Sequence, residues 1–142
     1  MNFKSVFPSN YLAPIEYYHY LTQNNSLALD VYENFVKQTY RNRCYILSPN
    51  GVQNLTIPII NARKKKPIKN VRIAYDENWR KTHWKSLEAA YRSSPYFEFY
   101  EDDFHPFYHE KKYDFLIDLN WDLGQKIVEL LNLDVSIKKS TK

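Results

Sequence analysis

The stretch RCYILSPNGVQNLTIPI, residues 43–59, decides the fold. Two strand-like runs, residues 43–48 and 52–59, flank Pro49, Asn50 and Gly51, and Asn-Gly accepts the positive φ that a tight hairpin turn needs. Alternation sets Leu55, Ile57 and Ile59 on one face of the second arm. Pro58 has no N–H to give a ladder, so it marks an edge or the strand's end. A central β-hairpin is the expectation from which the rest is built.

Upstream, residues 2–7 read as a short strand stopped by Pro8. Pro14 suits the first turn of a helix over residues 15–22, where no intrahelical bond is lost, and Asn24, Asn25 and Ser26 break that helix. Residues 27–32 mix apolar and β-branched side chains at strand length. Downstream, Arg63 to Lys66 form a basic loop closed by Pro67, a run that is usually just solvated and otherwise attracts an anion. Residues 71–75 read as a further strand. Asp76 is placed to cap a helix whose polar stripe is Lys81, Lys85, Glu88 and Arg92, with Trp79, His83, Leu87 and Ala90 on the opposite flank. Residues 96–108, aromatic and acidic, suggest a short helix limited by Pro95 and Pro106. Residues 114–133 carry Leu116, Leu119, Leu123, Ile127 and Leu130 on one stripe, with Gly124 weakening the middle, and such a helix covers a sheet face. Residues 134–142 begin like a strand and end as a basic, polar tail. The expected class is α/β, with α+β as the alternative: one domain over residues 1–142, a mixed sheet, an N-terminal helix, the central hairpin, and C-terminal helices packed on the sheet.

Composition agrees with one globular unit, since 142 residues with 44% hydrophobic and 25% charged side chains bury a core without metal or disulfide staples. The formal charge of +4 is mildly basic, which draws an anionic ligand without demanding nucleic acid. The acidic residues between Glu98 and Asp103 argue further against a nucleic-acid partner. Thirteen tyrosines suit either a half-wet core or a cleft for polar molecules. The single cysteine excludes an internal disulfide framework and is at home in a reducing compartment. Residues 1–14 lack the charged start and apolar run of a signal peptide, and no stretch approaches the ~20 apolar residues of a membrane span. A cytoplasmic protein without a transmembrane segment is expected.

The chemistry concentrates in residues 37–43, where Lys37, Gln38, Thr39, Tyr40, Arg41, Asn42 and Arg43 supply three cations, two amides and two hydroxyls before a strand. Arg matches phosphate or carboxylate with a flat fork, Lys adds a point charge, and amides both donate to and accept from sugar hydroxyls. Strand alternation would put Arg41 and Arg43 on one side and Tyr40 and Asn42 on the other. The plainer reading is a surface loop whose arginines pair with Asp or Glu. His83, on the packed flank of its helix, is the first candidate for a general base, because an ordinary imidazole exchanges protons near neutrality; the alternative is a hydrogen-bonded packing residue. Cys44 in an apolar strand reads as inert packing rather than a nucleophile. His105 and His109 lie four apart, but Pro106 is expected to interrupt the helix that would align them, so no metal site is assigned. With only two glycines, no P-loop or dinucleotide fingerprint can be built, and no cofactor is expected.

Several separated phrases taken together, YLAPIEYYHYL, ENFVKQTYRNRCYIL, NGVQNLTIPI, IKNVRIAY and WRKTHWKSLEAAYRSSPYFEFYEDDF, resemble the WbqC-like family from about residue 7 to residue 133. The resemblance implies an association with O-antigen and related surface polysaccharides, and an acyl, aminoacyl or glycine transfer to a sugar. Its pattern falls on Lys37, Asn42 and Arg43 and on Trp79, His83 and Trp84. Cys44 lies outside that pattern. Relatives usually continue past a position like Lys142, so the resemblance implies a lost C-terminal portion or a shorter branch.

The expected function is therefore a transferase of surface-polysaccharide assembly. In it Lys37, Arg41 and Arg43 hold an activated sugar or acyl donor, Tyr40 and Trp84 line the ligand, Asn42 orients it, and His83 takes a proton from the sugar acceptor. Other polysaccharide-biosynthesis proteins are the expected partners. The rival is a non-catalytic binding module for a phosphorylated or sugar ligand, or for a partner enzyme.

Overall fold

The hairpin forms as its alternation dictates: β3 (Arg43–Ser48) pairs antiparallel with β4 (Gly51–Thr56), from Arg43 opposite Thr56 to Ser48 opposite Gly51. The computed structural model describes residues 5–23, 27–36, 39–92, 94–133 and 137–139. Pro49 and Asn50 occupy the two central turn positions, and the positive φ falls on Gly51 alone, at 117°. Cys44, Ile46 and Leu55 are buried, while Tyr45, Leu47, Val52 and Asn54 are exposed. One face of the hairpin therefore enters the core and the other meets solvent.

The second arm stops at Thr56, short of the expected Ile59. Pro58 cannot extend the ladder as a donor, and beyond it the chain turns to a new neighbour, with Ala74 N–H donating to Pro58 O (2.9 Å) and Ile60 N–H to Arg72 O (2.9 Å). Residues 71–75, expected as a strand, make only isolated bridges, Ile59 with Ile73 and Arg72 with Phe115. The β-branched residues there are extended and buried, as Val71 and Ile73 show, but each flank supplies too few pairs for a strand.

A second sheet is all parallel: β1 (Ser5–Phe7), β2 (Leu27–Leu29) and β5 (Ile137–Lys139), in the order β1-β2-β5. The strands thus divide between a parallel and an antiparallel sheet, an α/β arrangement of mixed strand direction. The helix α1 (Ile15–Thr22) joins β1 to β2, the crossover that parallel neighbours require. The expected break at residues 24–26, the strand residues before Ser5, and the ends of the tail lie outside the described residues.

Among the described residues three further α-helices and a 3-10 helix over Ile68–Asn70 complete the fold. The start of α2 (Trp79–Tyr91) is capped not by Asp76 but by Asn78, whose side chain accepts from Lys81 N–H. Asp76 lies too far upstream to reach the orphan N–H groups of that first turn. The third, α3 (Pro95–His109), runs unbroken through Pro106. Pro106 forfeits the bond its N–H would give to the Asp102 carbonyl, and the helix stays continuous through it while Phe107 and Tyr108 on the next positions are buried in the core. The fourth, α4 (Leu116–Leu130), buries Leu116, Leu119 and Leu123 on the expected stripe. The main core gathers the hairpin's inner face, Trp79, Trp84, Tyr108 and α4, while Tyr18, Leu21 and Val128 form a smaller cluster between α1 and α4. Among the described residues no helix is long and apolar enough to cross a membrane.

Candidate functional site

Ladder geometry explains how the two arms of the hairpin offer their backbone groups. Ile57 N–H donates to Asn42 O (2.8 Å), so Asn42 faces Ile57 as a hydrogen-bonded pair. The reciprocal bond is absent because Asn42 N–H turns to Thr39 O (3.4 Å), and the Asn42 side chain replaces it, Nδ2 donating to Ile57 O at 2.8 Å. Asn42 is 6% exposed, and its Oδ1 has no partner among the described residues. One residue on, Arg43 and Thr56 form a non-hydrogen-bonded pair, so the Thr56 carbonyl points away from β3, off the open edge of β4.

His83 meets that carbonyl. Its Nε2 lies 3.0 Å from Thr56 O, and its Nδ1 lies 2.8 Å from the Tyr11 hydroxyl. A carbonyl can only accept, so Nε2 carries the proton and Nδ1 is left to accept from Tyr11. Tyr108 then donates to Tyr11 across 2.7 Å. The imidazole is 3% exposed, with Trp79 edge-on at 5.1 Å. Burial pushes its pKa down from 6.5 to about 4, against a smaller raising effect of the Thr56 bond. Burial likewise holds the Tyr11 and Tyr108 hydroxyls well above the ordinary tyrosine value. The result is a neutral, fully bonded ring that ties α2 to β4 and to the N-terminal segment.

The remaining candidates scatter. Lys37 and Gln38 lie outside the described residues. The Arg41 guanidinium grips Glu33 through two bonds, Nε to Oε1 at 2.8 Å and Nη2 to Oε2 at 3.0 Å, as the plainer reading of this stretch anticipates. Arg43 shares the strand parity of Tyr45 and Leu47, opposite the face where Cys44 and Ile46 are buried, but it is half-buried, and its buried Nε has no partner among the described residues. Tyr40 is exposed and edge-on to Tyr45 at 6.0 Å, in a hollow with Leu12, Leu87 and Tyr91. Trp84 is buried between α2 and α3, against Phe97 and Tyr108. Cys44 is 2% exposed, with its thiol pushed up to about 12 by burial. Arg43 stands opposite Thr56 in the ladder, whereas His83 reaches the Thr56 carbonyl from α2 at the open edge of β4, and the groove that His83 lines does not include Arg43.

The concave surface that His83 does line runs along the open edge of β4 and the first turn of α2. It encloses about 380 Å³ between Gln53, Asn54, Thr56, Glu77, Asn78 and Thr82, with Trp79 and His83 at the back. Thr56 Oγ1 donates to Asn54 Oδ1, and Asn78 Oδ1 accepts from Lys81 N–H. Those bonds use the acceptor ends of both asparagines and leave their Nδ2 groups to donate outward. Neither Arg41 nor Arg43 lines this groove. Gln53, Asn54, Glu77, Asn78 and Thr82 stand outside the motifs visible in the sequence. Their polar types were visible, but their meeting depends on β4 presenting an outer edge to the start of α2.

Comparison with known proteins agrees with the phrases read from the sequence. Residues 9–142 match the WbqC-like protein family, and the chain belongs to that family. An uncharacterized protein of Mycobacterium tuberculosis, Rv1507c, is 29% identical over 107 residues, which is 75% of this chain and 46% of that protein. The chain therefore spans about half the length of that relative. No solved structure matches the chain.

Proposed function

We propose that this WbqC-like chain is a binding module for a polar, sugar-type ligand, held in the groove between the open edge of β4 and the first turn of α2. One observation carries the proposal: three side-chain amides, two hydroxyls and one carboxylate converge on a hollow of about 380 Å³. The Nδ2 groups of Asn54 and Asn78 can donate to a sugar hydroxyl, and Gln53, whose Nε2 is given to Ser86, can accept through its oxygen; the volume falls within the range of small-molecule sites. His83 serves here as a positioning residue. Its bond to Thr56 O fixes the back of the groove, and its lone pair is given to Tyr11. Family membership supports a sugar of surface-polysaccharide assembly, since the sequence resemblance implies that setting.

The test is a titration of the full chain with nucleotide sugars and free amino sugars, followed by calorimetry and by amide chemical shifts. Asn54→Ala and Thr82→Ala, both at exposed positions, should each weaken binding about tenfold, the loss of one hydrogen bond in a dry contact. Unchanged affinity in both variants, or shifts confined to the Tyr40 and Arg43 side, would remove the groove from consideration.

A second reading is acyl or aminoacyl transfer to the bound sugar, and it is favoured by His83 lining the same groove. An acceptor hydroxyl would attack the carbonyl carbon of the donor, its proton passing to His83 while the donor's leaving group departs with the bonding pair. For this the imidazole must present Nε2 as a lone pair and give up its bond to Thr56 O. Transfer by wild type, lost in His83→Gln with ligand affinity retained, would favour this reading over the first.

A further inference from the structure

The continuous course of α3 through Pro106 brings together two side chains that neither reading above uses. His105 and His109 are both exposed, and their rings stack with centroids 3.7 Å apart and planes 2° from parallel. His109 Nδ1 lies 3.0 Å from the His105 carbonyl oxygen. Because that oxygen can only accept, Nδ1 carries the proton, and the Nε2 lone pair of His109 is left facing away from the backbone. A backbone carbonyl on the far nitrogen is the arrangement that orients a metal-binding imidazole. Trp84 stands edge-on to both rings, at 5.5 Å from His105 and 5.2 Å from His109, and backs the pair from the core side.

We infer that His105 and His109 form a surface chelate for a divalent transition-metal ion bound through imidazole nitrogen. The i,i+4 spacing puts both imidazoles on one face of α3, within reach of the roughly 3 Å nitrogen separation that metal–nitrogen bonds of about 2.1 Å require, and to bind an ion the two exposed rings must rotate out of their parallel stack until both lone pairs meet at one point. Imidazole nitrogen ligands favour Cu²⁺, Ni²⁺ or Zn²⁺ over the oxygen-seeking Mg²⁺ and Ca²⁺. Of the carboxylates on α3, Glu98, Glu101, Asp102 and Asp103, Glu101 is paired with Arg92, and Lys111 and Lys112 follow the helix. Among the described residues no group of three or more His, Cys, Asp or Glu side chains gathers around one point. The ion therefore keeps open positions for water or a ligand oxygen.

Calorimetric titration of the full chain with CuCl2, NiCl2 and ZnCl2 tests the site. Wild type should take up one ion, Cu²⁺ the most tightly, and Cu²⁺ should quench tryptophan emission through its closeness to Trp84. His105→Gln and His109→Gln should each weaken binding at least tenfold, while His19→Gln, an exposed histidine on α1, should leave it unchanged. Thermal melts of the same variants check that they remain folded, as exposed positions should. The chelate is overturned if wild type binds none of the three ions at millimolar concentration. It is equally overturned if the double variant binds like wild type, or if only one of the two histidines matters.

Discussion

Acidification should unlock the fold through His83. The ring is neutral in the folded chain with a pKa of about 4, whereas an unfolded histidine titrates near 6.5. Between those values the unfolded chain binds a proton that the folded chain refuses, so stability falls as pH falls. The His83 contribution is fully present above pH 6.5, is lost through the window down to about 4, and changes no further below it. The difference between the two values, at 1.36 kcal/mol per unit, amounts to roughly 3 kcal/mol, a large fraction of a small domain's stability. The assay is urea unfolding followed by tryptophan emission at several pH values from 7.5 to 4.5, for wild type and His83→Gln. Glutamine can donate to Thr56 O and accept from Tyr11, but it does not titrate. Glu101, whose pKa its bond to Arg92 depresses, loses its contribution only as pH falls below the ordinary carboxylate value, and it does so equally in both proteins. Wild type should therefore show a steep loss of stability that the variant lacks. If the two proteins lose stability in parallel, the buried and fully bonded imidazole described above is wrong.

Three further outcomes follow from the same geometry. Asn42→Ala removes the side-chain bond to Ile57 O and leaves a buried carbonyl unpaired, so chemical denaturation should register a loss of about 1–3 kcal/mol; a loss near zero would free Asn42 for a ligand role. Cys44, buried with its thiol pushed up to about 12, should resist a thiol reagent at pH 8 in the folded chain and react fully in urea. Gly51→Ala meets no atom within 4 Å but must hold φ at 117°, so backbone strain alone should cost about 1–3 kcal/mol, visible as a lower Tm.

The elements legible in the sequence were those whose cause is local. Pro49, Asn50 and Gly51 make their own turn, the stripe of Leu116, Leu119 and Leu123 needs only helical period, and Pro14 foretells the start of α1. What depended on distant partners was hidden. Residues 71–75 carry a strand's composition, yet their neighbours at Ile59 and Phe115 each offer a single bridge. The parallel register of β1, β2 and β5 joins three-residue pieces that lie far apart in the chain. Pro106 carries a helix breaker's local cost, while the core packing of Phe107 and Tyr108 that accompanies the continuous helix involves Trp84, distant in the chain.

The same distinction governs the site. Residues 37–43 stand out because polar and cationic side chains crowd there, and such crowding has two physical causes that composition cannot separate: a ligand outside, or unsatisfied backbone inside. Where this stretch is described, internal bonds account for Thr39, Arg41 and Asn42. Asn42 supplies a ladder bond that its own N–H gave up, and Arg41 closes on Glu33. The Arg41 carbonyl and the Ser9 hydroxyl both accept from the buried Asn120 side chain, while Tyr11 N–H reaches Tyr40 O. These bonds knot the N-terminal segment, the hairpin and α4 around one polar point in the core. That knot holds Thr56 with its carbonyl turned outward to His83. The polar residues that sequence singles out thus set the rear wall of the groove, and the residues that would touch a ligand there, Asn54, Asn78 and Thr82, lie across β4's open edge, where no local pattern marks them.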